Sequence, residues 1–274
     1  DWEDLSGEGN DAGLGDLPEL RQPQYKTDYG GYFDFKGTSQ YMPLKDLTLE
    51  ASDDLEAFTI GVWFRTNYAK GSDVKSNGAF LDFDADTFFS AGIQGDGRLF
   101  LSTTGRETPT HHLQELEDVT PLNDYDWHYA VFTYNAKEKN GTKRIYRDGI
   151  LSAVLEQQHP EGVGADKERY GIIGDFGYAE KYNGNRYQIY LDANIAMIHY
   201  YDIALSEAQI TKNYEGTKWR FQSDPVYQPP QAVIAAEPLA GKPPLTVKMD
   251  GVQSKVFGGE IKNYGWDMGG VLMS

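Results

Sequence analysis

The 274-residue chain carries 42 Asp and Glu against 25 Lys and Arg, a formal charge of −17. Nucleic acid and anionic membrane surfaces both need a basic field and are disfavoured as partners; calcium suits the charge, although an acidic surface equally serves to keep a protein dissolved. With no cysteine there is neither a disulfide framework nor a thiolate metal site, and no apolar run approaches the roughly 20 residues of a membrane span.

Thirty glycines, nineteen tyrosines and recurrent Asn/Asp/Gly clusters favour many short strands over helices. Residues 1–31 read as loop with one short strand, and Gly31–Gln40 as a strand continued at Tyr41–Leu44. In Phe58–Thr66 the residues Phe58, Ile60, Val62 and Phe64 alternate with Thr59, Gly61, Trp63 and Arg65, the period of a strand with two different faces. Asn67–Gly78 is a polar loop. Phe80–Asp84, Phe88–Ile93 and Arg98–Thr103 then form a meander closed by Gly95-Asp96-Gly97. Asp82, Asp84 and Asp86 share one parity there, which sets up to three carboxylates on one face or rim, as ligands for calcium or sugar hydroxyls or as a solvated surface.

Thr104–Asn123 reads as loop and holds the pair His111-His112, whose adjacency disfavours a shared metal ion. Trp127–Tyr134 is apolar or aromatic on both parities, as a central strand covered on both sides requires, and Lys143–Leu155 is a hairpin about Asp148-Gly149. His128 and His199 are expected to make structural hydrogen bonds. Tyr170–Gly174, Tyr187–Leu191 and Ile195–Tyr201 read as strands. Between the first two, Tyr178 and Tyr182 alternate with Asn183 and Asn185, a composition that stacks on pyranose rings and meets hydroxyls, or that merely packs a long loop onto a sheet. Leu205–Tyr214 is the one helix, with Ser206 and Gln209 as a capping box and Leu205 against Ile210 as a staple. A proline-rich linker at 223–231 separates residues 1–222 from 232–274; four lysines balance four acids over 229–274, so the whole net charge lies upstream.

Several of these stretches resemble known families. Trp127-His128 with the following strand and Tyr146-Arg147-Asp148-Gly149, the opening Asp4-Leu5-Ser6-Gly7-Glu8-Gly9-Asn10-Asp11, and the closing Leu191–Ile198 with Leu205–Ile210 are similar to laminin-G-like domains of the concanavalin A-like lectin/glucanase superfamily. Pro243–Asp250 and Ile261–Gly269 resemble about half of a PKD domain. The resemblance implies an all-β antiparallel jelly-roll sandwich over 1–222, followed by a partial immunoglobulin-like sandwich over 232–274. It also implies a calcium site in which Asp4, Asn10 and Asp11 meet Asp192 or Asn194.

Catalytic motifs of the same fold are missing. Glu115-Leu116-Glu117-Asp118 lacks the E-x-D-x-x-E spacing of the glucanases, and Gln188-Ile189-Tyr190 lacks the histidine of the lyases. No G-x-S-x-G elbow, HExxH helix or P-loop occurs. The expectation is a non-catalytic extracellular binding or adhesion module of a larger bacterial surface or secreted protein, recognising carbohydrate or another surface, with calcium as its cofactor. Asp82, Asp84, Tyr178, Tyr182, Asn183 and Asn185 are the candidate ligand-binding residues. Two alternatives stand beside it: an accessory polysaccharide-binding module of a secreted carbohydrate-active enzyme, and a structural subunit of a fibre or stalk whose last sandwich is completed by a neighbouring subunit.

Overall fold

The computed structural model describes residues 2–14, 17–51, 55–66, 78–105, 115–164, 166–221, 233–237, 246–254, 266–267 and 272–273. His111 and His112, the loop at 67–77, the linker at 223–231 and residues 261–265 lie outside this set. The chain divides into two compact units, Asp1–Glu215 and Gly216–Ser274.

In the first unit, seven strands form one antiparallel sheet in the order β1 (Gln24–Lys26), β2 (Tyr32–Lys36), β13 (Asp192–Tyr201), β4 (Ala57–Arg65), β9 (His128–Asn135), β10 (Thr142–Arg147) and β11 (Ile150–Glu156). Six form the other, in the order β3 (Met42–Leu49), β12 (Arg169–Ile173), β5 (Gly78–Asp82), β6 (Phe89–Ile93), β7 (Leu99–Thr103) and β8 (Leu116–Glu117). The single α-helix among the described residues, α1, spans Glu207–Thr217. This is the all-β sandwich with one short helix that the sequence implies.

Period-2 patterning decides which faces meet. Phe58, Ile60, Val62 and Phe64 of β4, with Phe132 and Tyr134 of β9, share one core with Leu81, Ala91, Leu99 and Leu101 of the second sheet. Rings bridge the two layers: Phe58 stacks on Phe89 at 4.5 Å between centroids and Phe64 lies 4.7 Å from Phe80. Each such phenyl is fully buried and contributes on the order of 2 kcal/mol by its removal from water. Trp63, on the opposite parity, is also buried, and it stacks on Tyr129 and on Tyr214 of α1, beneath the helix.

Local chemistry fixes the ends of the elements. Asp148 and Gly149 take φ of 50° and 82°, the left-handed pair that a type I′ turn between β10 and β11 needs. Asp148 also accepts the amide of Tyr129 at 2.9 Å and meets His128 Nδ1 at 2.9 Å, so His128 has the structural role expected of it. Ser206 and Gln209 form the capping box: the Ser206 amide donates to Gln209 Oε1 at 2.9 Å and the Gln209 amide to Ser206 Oγ at 3.4 Å. At the end of β4, the Arg65 guanidinium lies 4.6–5.1 Å from the rings of Tyr29, Tyr32, Tyr125 and Trp127 and donates to Tyr32 Oη and Asn194 Oδ1.

Three expectations about elements are corrected. Thr104–Asn123 is not all loop, since Leu116–Glu117 pairs with β7 as β8. Tyr41–Leu44 does not continue the preceding strand; it opens β3 of the opposite sheet, because the turn after Lys36 carries the chain across the sandwich. Tyr187–Leu191 is not a strand: among the described residues its backbone enters no ladder, and it passes over the sheet before β13.

In the second unit, Ala235–Glu237 (β14) pairs antiparallel with Lys248–Asp250 (β15), and Trp266–Asp267 (β16) with Leu272–Met273 (β17).

Candidate functional site

The outer parity of β5, β6 and β7 is polar where the inner one is apolar. Asp82 faces Ser90, and Ser90 faces Ser102, so three polar residues form one row across three strands. Two residues along, Phe100 lies opposite Gly92. The segment after β12 folds back over this face and stacks Phe176 on Phe100 at 6.1 Å between centroids and 19° between planes. A cleft of about 290 Å³ remains, lined by Asp82, Asp84, Asp86, Ser90, Ser102 and Glu115, with Phe100, Phe176, Tyr187 and Ile189 as its apolar part.

Each polar wall group is held by the chain around it. Asp82 accepts the Ser90 hydroxyl and the amides of Gly177 (2.8 Å) and Asp84 (3.1 Å), which ties the fold-back segment to the sheet. Asp84 sits at φ 63° in the turn after β5, a conformation an aspartate tolerates when its own carboxylate closes the turn, here by accepting the Asp86 amide at 3.2 Å. Its other oxygen receives Thr87 Oγ1 at 2.9 Å and Arg169 Nε at 2.7 Å; the Asp84–Arg169 pair is only 5 % exposed on either side. Glu115 accepts the Ser102 hydroxyl at 2.7 Å and the Gln94 amide at 2.7 Å.

Burial dominates the electrostatics. It pushes the Asp82 carboxyl up to about 7 against the three hydrogen bonds that favour the anion, and it also raises Glu115. Behind the cleft, burial pushes Asp175 up to about 6, although its Oδ1 accepts the amides of Phe176 and Ile189. Burial, together with the Asp84, Asp86 and Asp82 charges, raises the Tyr187 phenol. The cleft thus has a floor of buried residues, is rich in acceptors and is faced by aromatic rings.

Of the six ligand-binding candidates, Asp82 and Asp84 line the cleft, and the four from the 175–186 loop are not among its lining residues. Tyr178 packs on Tyr187 at 4.8 Å and donates its amide to the Asn185 carbonyl. Asn183 Oδ1 accepts from Tyr41 Oη at 2.8 Å and from Arg186 at 3.0 Å. A Cβ on Gly13 would fall 2.2 Å from Tyr182 Oη, so that tyrosine closes against the opening segment. Sequence reading missed Ser90, Ser102, Phe100, Phe176, Glu115 and Tyr187; polar residues on the parity opposite Ala91 and Leu101 were the available signal.

Three of the five residues assigned to calcium hold the chain around them. Asp4 spends its oxygens on the amides of Ser6 and Asn10 and on the Ser6 hydroxyl, and Asp11 accepts the Asp4 amide at 2.8 Å. Asn194 is engaged at both ends of its amide, by Asp34 and by the cationic Arg65. Among the described residues no three His, Cys, Asp or Glu side chains are placed to share a metal, so Asp4, Asp11 and Asp192 do not converge.

A laminin G-type family model, described as the concanavalin A-like lectin/glucanases superfamily, matches residues 36–211. The chain belongs to this superfamily. Among curated protein sequences nothing matches. Among solved structures, the binding domain of Paraclostridial Mosquitocidal Protein 1 is similar with a TM-score of 0.57 at 12 % identity, over 78 % of this chain and 49 % of that one. The botulinum neurotoxin serotype G binding domain gives 0.56 at 13 % identity, over 79 % and 48 %. The serotype D ligand binding domain, solved in complex with N-acetylneuraminic acid, gives 0.53 at 14 %, over 78 % and 48 %. At such identities the likeness concerns the fold, and this concanavalin A-like chain spans about half the length of those domains.

Proposed function

We propose that this superfamily member is a non-catalytic carbohydrate-binding module of a larger extracellular protein, and that the cleft over β5, β6 and β7 seats one sugar unit. The observation that carries the reading is the cleft's composition: stacked phenyl rings and a half-exposed tyrosine beside a row of hydroxyls and carboxylates. Ring faces cover pyranose C–H groups, while the serines and acids meet hydroxyls. The volume sits near the lower end of roughly 300–1,000 Å³ for ligand pockets, which suits a single ring rather than a long polymer groove. The sialic-acid complex of a similarly folded domain supports sugar recognition by this architecture. Under the same reading residues 232–274 begin a PKD-like spacer, supported by their two antiparallel strand pairs.

The test is a glycan array read with the full chain, followed by Tyr187→Ala. Tyr187 is 52 % exposed, so its truncation spares the core. Saturable binding to a defined sugar, weakened at least about tenfold by the substitution, is expected. Absence of binding across the array, or release of reducing ends from any bound glycan, refutes the proposal.

A further inference from the structure

The donor and acceptor inventory of the cleft narrows the sugar, an inference that rests on the carbohydrate reading above. Ser90 and Ser102, 0 % and 2 % exposed, give their hydroxyl protons to Asp82 and Glu115, so neither offers the cleft a donor. Asp86 adds an exposed carboxylate with no cation beside it among the described residues. The amide of Gly177, the one glycine of the lining, is committed to Asp82.

Positive charges nearby are spoken for. Arg169 is paired with Asp84, Arg98 with Asp96 and Glu117, and Arg186 lies over Tyr41 and against Asp175. Lys143, whose charge acts on Glu115, is wholly buried, and burial pushes it down to about 7. Among the described residues no basic side chain lines the cleft.

We infer that the cleft selects a pyranose bearing no acid group, binds an amine-bearing one best, and excludes uronic and sialic acids. A sugar carboxylate brings only acceptors and a like charge to a wall of acceptors and carboxylates. Neutral hydroxyls donate to that wall, and an ammonium donates and also neutralises it. The ligand chemistry therefore differs from that of the sialic-acid complex formed by the neurotoxin domain of similar fold.

Calorimetric titration of the full chain at neutral pH and low salt decides the matter. The probes are matched methyl glycosides: glucosamine, glucose and glucuronic acid, then galactosamine, galactose and galacturonic acid, with N-acetylneuraminic acid alongside. In the series that fits, the amine is expected to bind at least tenfold tighter than the uronate, with the neutral sugar between them. Asp86→Asn with Glu115→Gln should shrink that ratio to below about threefold. Uronate or sialate binding as tight as the amine, and lost in Tyr187→Ala, overturns the charge selection and leaves the carbohydrate reading standing. Silence from every probe overturns both.

Discussion

Asp82 sets up a measurable conflict between solvation and structure. The group is 1 % exposed, and burial lifts it from an ordinary 3.8 to about 7. In the unfolded chain it ionises near pH 4; in the native sandwich it keeps its proton for roughly three more units. Between those limits the folded state binds more protons than the unfolded one, so stability falls as pH rises, by about 1.4 kcal/mol per unit at most and on the order of 4 kcal/mol in total. Asp82→Asn removes the titration while keeping shape: its amide oxygen can accept the Gly177 and Asp84 amides and its NH₂ can donate to Ser90. The difference in unfolding free energy between variant and wild type should therefore grow in favour of the variant from about pH 4 to about pH 7 and level off above. Urea unfolding followed by near-ultraviolet circular dichroism, repeated at several pH values, measures it, and contributions from Asp175 or the histidines cancel in the difference. An offset independent of pH would refute the claim that Asp82 is protonated at mild acidity.

Three further substitutions probe the frame of the sandwich. Arg169→Met leaves Asp84 buried and unpaired, which should cost about 3–5 kcal/mol in urea unfolding, and adding Asp84→Asn should restore a good part of it. Gly141→Ala places a Cβ 1.5 Å from the Gln158 carbonyl at a φ of 89°, so a loss of at least about 2 kcal/mol is expected from thermal and denaturant unfolding of the hairpin unit.

Local signals in the sequence were enough for elements whose determinants are local. The Asp148-Gly149 turn and the Ser206/Gln209 box need only neighbouring residues, and the alternation in β4 names its core face directly. Tyr187–Leu191 misled because its tyrosines and isoleucine have strand propensity, yet no partner strand lies beside it: propensity describes a side chain's fit to a pleated surface and cannot supply the neighbour. The cleft was half legible. Asp82, Asp84 and Asp86 stand out as an alternating run, but Ser90, Ser102 and Glu115 join them only through the β5-β6-β7-β8 order, and Phe176 only through the fold-back of a loop. The loop residues Tyr178, Tyr182, Asn183 and Asn185 have sugar-binding composition, but the structure packs Tyr178 on Tyr187 and bonds Asn183 to Tyr41.

The four-ring surround of Arg65 works as a rivet through chain segments far apart in sequence. Tyr29 and Tyr32 before and in β2, Tyr125 and Trp127 ahead of β9, and Asn194 in β13 all grip one guanidinium at the tip of β4. None of these can loosen without stripping the cation of part of its aromatic shell, so amide protons in these segments should exchange with solvent as one cooperative group rather than one strand end at a time. The aromatic box is also already full: its own guanidinium occupies the space that an outside ammonium would need.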